Sequence, residues 1–283
     1  MFRKSTRRSE AGSGSLSADS ADRHLLYQQS VQDVEAEIDF VEQTWSELRR
    51  RPAEHLREDF CGTANTACEW VKRDPSHYAT GIDLEQSVLD WGRQHNLAEL
   101  DAEQLRRIEL LNGDVLKARP GLADIILAMN FSYFLFLKRD ELRAYFANTL
   151  QGLVADGILF LDAYGGYEAP MVLTEPRECQ DEEGNEFTYI WEQAAFNPID
   201  SCMTCHIHFE FPDRSRMEKA FSYHWRLWTL PEIREILYEA GFSSVEVYWE
   251  GTDEENNEGN GIYTPSDTGD ADPGWVCYVV AQA

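Results

Sequence analysis

Apolar residues recur along the chain with two different spacings, and these spacings alternate over its first half. Spacings of three and four residues from position 34 to 48 predict an amphipathic helix that ends before Pro52. Short apolar runs then predict strands at 55–60, 78–82, 107–111, 123–129 and 157–162, with helices starting at 66 and covering 85–95 and 139–150. Alternating strands and helices predict a parallel sheet with helices on both faces.

This alternation changes after position 162. Strand patterns at 187–191, 203–211 and 221–228 follow one another without helices and predict an inserted antiparallel β arm over residues 163–229. A helix with Pro231 in its first turn and Gly241 at its end comes next. Strands at 244–249 and 275–281 complete an α/β fold with a seven-stranded, mostly parallel sheet. Residues 251–274 between them predict a polar, acidic loop.

The first 22 residues differ in composition from the rest of the chain. They are rich in Ser and Gly and contain Arg3, Lys4, Arg7 and Arg8, with almost no aromatic side chains. Such a segment cannot bury enough apolar surface to fold alone. We expect a disordered tail over residues 1–22 and one domain over residues 23–283.

Charge and cysteine content narrow the function classes. The chain has 25 Lys and Arg against 51 Asp and Glu, a formal charge of −26, which repels nucleic acids and anionic membranes. No apolar run resembles a signal segment or a membrane span, and the six cysteines are scattered. We expect a cytoplasmic protein with reduced thiols that binds neither nucleic acid nor membrane; a homodimer is compatible with the sequence.

Residues suited to ligand binding follow three successive predicted strands. Gly62 lies in a tight turn after the first strand, Asp83 ends the second, and Asp114 follows the third. Open α/β sheets bind ligands at the carboxyl ends of their strands, where an acidic side chain accepts hydrogen bonds from ribose hydroxyls. The alternative is that Asp83 and Asp114 only cap turns or helices.

Residues 58–64, Glu-Asp-Phe-Cys-Gly-Thr-Ala, carry a resemblance to a known family. The segment resembles the acidic-x-Gly-x-Gly-x-Gly motif of class I S-adenosylmethionine-dependent methyltransferases, with Phe60 and Ala64 replacing two glycines and Asp59 competing with Glu58 for the acidic role. The resemblance implies that Asp83 binds the ribose of S-adenosylmethionine and Asp114 the adenine amino group. The predicted cofactor-binding residues are Tyr27, Glu58, Cys61, Gly62, Thr63, Asp83, Leu84, Asn112, Gly113, Asp114, Val115, Met129 and Asn130.

The acceptor side is predicted from the segment after the fourth strand and from the arm. The stretch Asn130 to Tyr133 resembles one in glycine N-methyltransferase-like enzymes, where the substrate meets the methyl group. The predicted substrate-binding residues are Asn130, Tyr133, Tyr164, Trp191 and Trp225, and the candidate bases are Tyr133, His224 and Glu186. The alternative for each arm aromatic is packing of the arm against the sheet.

A second motif, Cys202-Met-Thr-Cys205-His206, formally matches haem-attachment and metal-ligand patterns. On a strand, Cys202 and Cys205 point to opposite faces. We therefore expect no metal site here, with Cys205 on a buried face and Cys202, His206 and His208 on the other.

The leading hypothesis is methyl transfer from S-adenosylmethionine to a nitrogen or oxygen of a small molecule. A protein methyltransferase and a non-catalytic module that binds S-adenosylmethionine or S-adenosylhomocysteine are the alternatives. Nicotinamide-dependent redox chemistry is disfavoured because a bulky Phe60 would clash with a bound pyrophosphate.

Overall fold

The computed structural model describes residues 16–253 and 259–283. The helices are α1 (Arg23–Val31), α2 (Val34–Leu48), α3 (Asn65–Arg73), α4 (Gln86–His95), α5 (Arg139–Gly152) and α6 (Leu230–Ala240). The strands are β1 (His55–Asp59), β2 (Tyr78–Asp83), β3 (Ile108–Asn112), β4 (Ala123–Ala128), β5 (Leu153–Gly165), β6 (Leu173–Gln180), β7 (Glu186–Asn197), β8 (Cys202–Glu210), β9 (Arg216–Arg226), β10 (Ser244–Thr252), β11 (Gly259–Pro265) and β12 (Trp275–Gln282).

The central sheet has the strand order β11-β10-β12-β5-β4-β1-β2-β3. Strands β1 to β5 pair in parallel, whereas β12 is antiparallel to β5 and β10. The predicted mostly parallel sheet is confirmed, but within residues 16–253 and 259–283 it has eight strands and not seven. The extra strand, β11, lies in the predicted acidic loop and pairs with the edge of β10. The strand order reverses between β1 and β4, and ligands of open α/β sheets bind at such a point.

Apolar side chains cover both faces of this sheet. One core cluster contains Phe146 of α5 and Ile233 of α6, and the other contains Ile38 of α2 and Val71 of α3. Burial of each such side chain stabilises the fold by roughly 1.5–3 kcal/mol. The stripe predicted on α2 is confirmed, since Ile38, Val41 and Trp45 are buried.

The arm is a separate antiparallel sheet of four strands in the order β6-β7-β8-β9. The predicted insertion is therefore confirmed, with β6 as a strand that the sequence pattern did not indicate. The predicted burial of Cys205 is correct, but His206 and His208 on the opposite face are also buried. They are covered because His206 hydrogen-bonds Ser222, and His208 bridges two glutamates on the neighbouring strands.

Helix α1 joins the arm to the central sheet. Leu26 packs into the arm's apolar cluster, and Asp22 caps the helix while accepting a 2.7 Å hydrogen bond from the Trp91 indole. Residues 16–22 of the predicted tail are thus packed, with Ala18 N donating to Ser215 Oγ; residues 1–15 lie outside the described part. Within the described residues, no helix has the length and apolar content needed to span a membrane.

Candidate functional site

The loop after β1 has an unusual backbone conformation at alternate residues. Phe60, Gly62 and Ala64 have φ angles of 57°, 53° and 58°, all in the left-handed region. For the two residues other than glycine this conformation costs roughly 1–2 kcal/mol each. These are the three positions that carry glycine in the resembled motif. The loop therefore follows the path that the motif requires, although two of its glycines are replaced.

Packing holds this loop in place. The Phe60 ring contacts Phe136 and Tyr145 at centroid distances of 6.1 and 5.5 Å. On the other side α4 approaches closely, because a Cβ at Gly92 would lie 2.4 Å from the carbonyl oxygen of Thr63. Neighbouring elements thus compensate for the strained backbone.

The structure separates the two rival acidic residues of β1. Asp59 is buried and receives two hydrogen bonds from Arg57, at 2.7 and 3.0 Å, and one from the Tyr145 hydroxyl. Glu58 accepts a 2.9 Å hydrogen bond from the backbone N–H of Ala67 and borders the loop. Burial raises the pKa of Glu58 well above its usual range. Both carboxylates border the loop cavity. Because Asp59 is already the ion-pair partner of Arg57, Glu58 has the freer carboxylate.

Asp83 connects the end of β2 to the loop. One carboxylate oxygen accepts from Gly62 N at 2.8 Å and the other from Glu85 N at 2.9 Å. Each oxygen keeps a lone pair for a ligand, because a carboxylate accepts up to about four hydrogen bonds. Asn112, which was also predicted to bind the cofactor, instead donates its amide to the carbonyls of Asp83 and Leu84. It borders none of the strand-end, loop and arm cavities. Its role is to hold the ends of β2 and β3 together.

Asp114 follows β3 and stands where the sequence analysis predicted an adenine partner. Its side chain accepts from Leu116 N and pairs with Lys117 at 2.9 Å. These contacts, with Lys117 first, lower the Asp114 pKa and keep the carboxylate charged. The Lys117 side chain is 83% exposed, so this surface pair is weak and open to displacement by a ligand.

A second strained turn follows β4. Asn130 and Phe131 have φ angles of 57° and 56°, and their backbone N–H groups donate to the two oxygens of Asp162 at 2.7 and 2.8 Å. Asp162 is buried at the end of β5, and burial raises its pKa to about 7 despite these two hydrogen bonds. Sequence reasoning missed Asp162; its position at the end of a buried strand was the only available signal. Asp162 positions Asn130.

Three cavities surround these turns. The strand-end cavity, of about 410 Å³, is bordered by Asp83, Leu84, Gly113, Asp114 and Val115. The loop cavity, of about 340 Å³, is bordered by Glu58, Cys61, Gly62, Thr63 and Met129. The arm cavity, of about 460 Å³, is bordered by Tyr164, Trp191 and Trp225. Tyr27, Asn130 and Tyr223 border all three cavities, so the three spaces meet at these side chains.

Helix α1 lies against the point where the three cavities meet. Tyr27 contacts Phe221 of the arm, and Gln28 donates a 2.7 Å hydrogen bond to Thr63 Oγ1 of the loop. Burial and the neighbouring Tyr223 hydroxyl raise the Tyr27 pKa well above 10, so it remains a neutral hydrogen-bonding group.

The three predicted bases, Tyr133, His224 and Glu186, lie in different surroundings. Tyr133 is fully buried, donates its hydroxyl to the carbonyl of Asp162 at 2.9 Å and borders none of the three cavities. It is a core residue. His224 borders only the strand-end cavity, on the opposite face of β9 from Tyr223 and Trp225. Glu186 lies exposed at the start of β7 and borders no cavity.

Comparisons with known proteins identify the fold. No protein-family model matches the chain, and no curated protein matches its sequence. An S-adenosylmethionine-dependent methyltransferase from Clostridium acetobutylicum is 15% identical with a TM-score of 0.65, covering 91% of this chain and 96% of that one. S-adenosylmethionine-bound CalS10, an amino pentose methyltransferase from Micromonospora echinaspora, is 17% identical with a TM-score of 0.63, covering 92% and 95%.

The sugar N-methyltransferase KedS8 from a Streptoalloteichus species is 15% identical with a TM-score of 0.63, and 99% of each chain is covered. The match over nearly the full length includes the arm as well as the central sheet. The chain thus has the fold of S-adenosylmethionine-dependent methyltransferases, as its sequence resemblance implied.

Proposed function

We propose that this protein is an S-adenosylmethionine-dependent methyltransferase that modifies a nitrogen or oxygen atom of a small molecule. The observation that carries the proposal is the meeting of three cavities at Tyr27, Asn130 and Tyr223. Two of them lie at the strand ends where such folds bind nucleotides, and the third lies under the arm. A donor and an acceptor can therefore approach each other from opposite sides of these three residues.

The residues present fit the proposed cofactor. Leu84 and Val115 offer apolar contacts for the adenine ring beside the Asp114 carboxylate, and Asp83 offers acceptors for the ribose hydroxyls. Glu58 and the turn at Gly62 border the loop cavity, which would hold the methionine part. The left-handed conformation of the loop supports this assignment, because it is kept although two of the three motif glycines are replaced.

When bound, S-adenosylmethionine supplies an electrophilic methyl group on a positively charged sulfur. The chain's own contribution is to align an acceptor with that group and to exclude water. Asp162 holds Asn130 in its strained conformation, and the Tyr27 and Tyr223 hydroxyls donate or accept hydrogen bonds while uncharged, since burial raises both pKa values. In this proposal the acceptor reacts through its own lone pair, and catalysis is mainly positioning.

The arm cavity supports a small-molecule methyltransferase over the alternatives. Its volume of about 460 Å³ falls in the range of small-molecule sites, which supports a small acceptor over a protein side chain. A non-catalytic module would not need a second cavity that joins the cofactor space. A cytoplasmic location is part of the proposal, supported by six free cysteines.

The test is transfer of labelled methyl from S-adenosylmethionine to fractions of a cell extract. We expect label in the low-molecular-weight filtrate and none with the Asp83→Ala variant. Label in the protein fraction instead would support protein methylation. Binding of S-adenosylhomocysteine without label in either fraction would support the non-catalytic module.

A further inference from the structure

We propose that the acceptor carries a cationic group separate from the atom that is methylated, and that Glu168 and Glu175 bind this group. The inference rests on the proposed function, because it names the class of molecule that occupies the arm cavity. Both glutamates border that cavity, together with Trp191 and Gln193.

Glu175 lies on β6, the strand of the arm sheet farthest from β9 and Tyr223. It pairs in register with Trp191 of β7, which pairs with Ile207 of β8, so these side chains share one face of the arm. Tyr223, at the meeting point, is on β9. The backbones of β6 and β9 are three strand spacings apart, roughly 14 Å. A group bound by Glu175 is therefore well separated from the reacting atom.

Glu168 is held in a fixed segment at the rim of the cavity. Its N–H donates to the carbonyl of Pro273 at 2.9 Å, and the buried Gln193 amide donates to the carbonyls of Glu168, Ala169 and Met171. The preceding Gly166 has a φ of 114°, and a Cβ there would lie 2.3 Å from Pro273 O. The carboxylate is therefore presented by an ordered backbone.

Neither glutamate is neutralised within the described part of the chain. No ion pair involves Glu168 or Glu175 among residues 16–253 and 259–283, and no Lys or Arg borders the arm cavity. The nearby Arg177 lies over the Tyr189 ring and donates to Ser30 O. Two carboxylates in a cavity without positive charge favour a cationic ligand, and the net charge of −26 attracts one.

Aromatic rings border the space between the glutamates and the meeting point. The ring centroids of Tyr223 and Trp225 are 4.4 Å apart, and Trp191 lies 6.3 and 6.1 Å from these two rings. No Lys or Arg of the described residues lies over any of the three. Such rings suit a flat or apolar body and add attraction for a cation. Binding of the cation at one end would orient the nucleophile at the other.

The test uses three probes of one shape that differ in charge. They are 1,4-bis(aminomethyl)benzene, 4-(aminomethyl)benzyl alcohol and 1,4-benzenedimethanol, titrated by calorimetry into the protein saturated with S-adenosylhomocysteine. We expect the two amines to bind within about threefold of each other and the neutral diol at least about tenfold more weakly. Glu168→Gln and Glu175→Gln should each weaken amine binding about fivefold. Glu178→Gln, on the same strand but the opposite face, should leave it unchanged.

Equal binding of amine and diol, no amine binding, or amine binding insensitive to both Gln substitutions would overturn the inference. The initial titration with S-adenosylhomocysteine separates this failure from failure of the proposed function. If S-adenosylhomocysteine binds and the amines are not preferred, only the cationic acceptor is rejected; if S-adenosylhomocysteine does not bind, the methyltransferase proposal itself fails.

Discussion

The two cavities proposed for the cofactor, the strand-end and loop cavities, are built in a different way from the arm cavity. The strand-end and loop cavities are bordered mainly by short segments that directly follow β1 to β4, with their backbone turns and carboxylates, and are completed by residues of α1 and β9. The arm cavity combines residues as distant in sequence as Tyr27 and Val276, and side chains define it. The difference implies that substitutions in one set of cavities should leave ligand binding in the other largely intact. The exceptions are the residues that border both: Tyr27, Asn130, Tyr223 and Trp225.

The largest effect is expected at Asp83. Asp83→Ala removes the acceptor for Gly62 N and for the ribose hydroxyls, so S-adenosylhomocysteine affinity should fall at least about 100-fold, or roughly 2.7 kcal/mol. Asp83→Asn, which keeps one acceptor, should lose about tenfold. Asp90→Ala, on the surface of α4, is the control for calorimetric titration. Full affinity in Asp83→Ala would remove this residue from the site.

The corresponding test of the arm cavity is the substitution Trp191→Leu. We expect labelled methyl transfer at low acceptor concentration to fall about tenfold, because an aromatic wall of the acceptor space is lost. S-adenosylhomocysteine affinity should stay within about twofold. A parallel fall in both quantities would show that the two sides do not bind independently.

The next prediction concerns how the free energy of unfolding depends on pH through Glu37 of α2. Burial raises the pKa of Glu37 to about 8, where it accepts a hydrogen bond from Thr66. The folded state then binds a proton that the unfolded chain releases near pH 4.3, so Glu37 makes the free energy of unfolding fall as pH rises from about 5 to 8.

Glu37→Gln removes this titration and keeps an acceptor for Thr66. Its melting temperature relative to the wild type should therefore be higher at pH 8.5 than at pH 5.5, by about 5 °C. Glu35→Gln, on the exposed first turn of α2, should show no such trend. A pH-independent difference for Glu37→Gln would mean that Glu37 stays charged in the fold.

The smallest effect is expected for Ala64→Gly, which we compare with Phe60→Ala at the other position where the loop lacks the motif glycine. Phe60→Ala keeps the left-handed backbone and loses contacts with Phe136 and Tyr145, so it should destabilise by about 2 kcal/mol. Ala64→Gly relieves roughly 1 kcal/mol of backbone strain and loses one buried methyl worth about 0.8 kcal/mol. Denaturant unfolding should therefore place Ala64→Gly within about 0.5 kcal/mol of wild type.

The sequence predicted the elements whose patterns are local. Strands β1 to β5, the helices between them and the capping residues of α6, with Pro231 and Gly241, follow from apolar spacing and turn chemistry. Strand β6 was not predicted because its residues are mostly exposed and include Pro176. Strand β11 was not predicted because a segment with two glycines becomes a strand only by pairing with β10.

The site residues also divide into those predicted from local sequence and those whose position depends on the tertiary fold. Asp83 was predicted because it ends a strand, and Gly62 because it lies in the turn after one. The structure brings the two within hydrogen-bond distance. Tyr133 was misplaced because the left-handed turn at Asn130 and Phe131, and the single helical turn after it, direct its side chain into the core, which no spacing reveals. Glu168 and Glu175 were not predicted, since their position depends on how the arm folds over the sheet.

The most direct test of the central claim is calorimetric titration of the wild-type protein with S-adenosylhomocysteine and, separately, with NAD⁺. The account predicts micromolar binding of S-adenosylhomocysteine with one site per chain and no binding of the dinucleotide. Binding of NAD⁺ without S-adenosylhomocysteine would contradict it and would assign the strand-end cavity to a different cofactor.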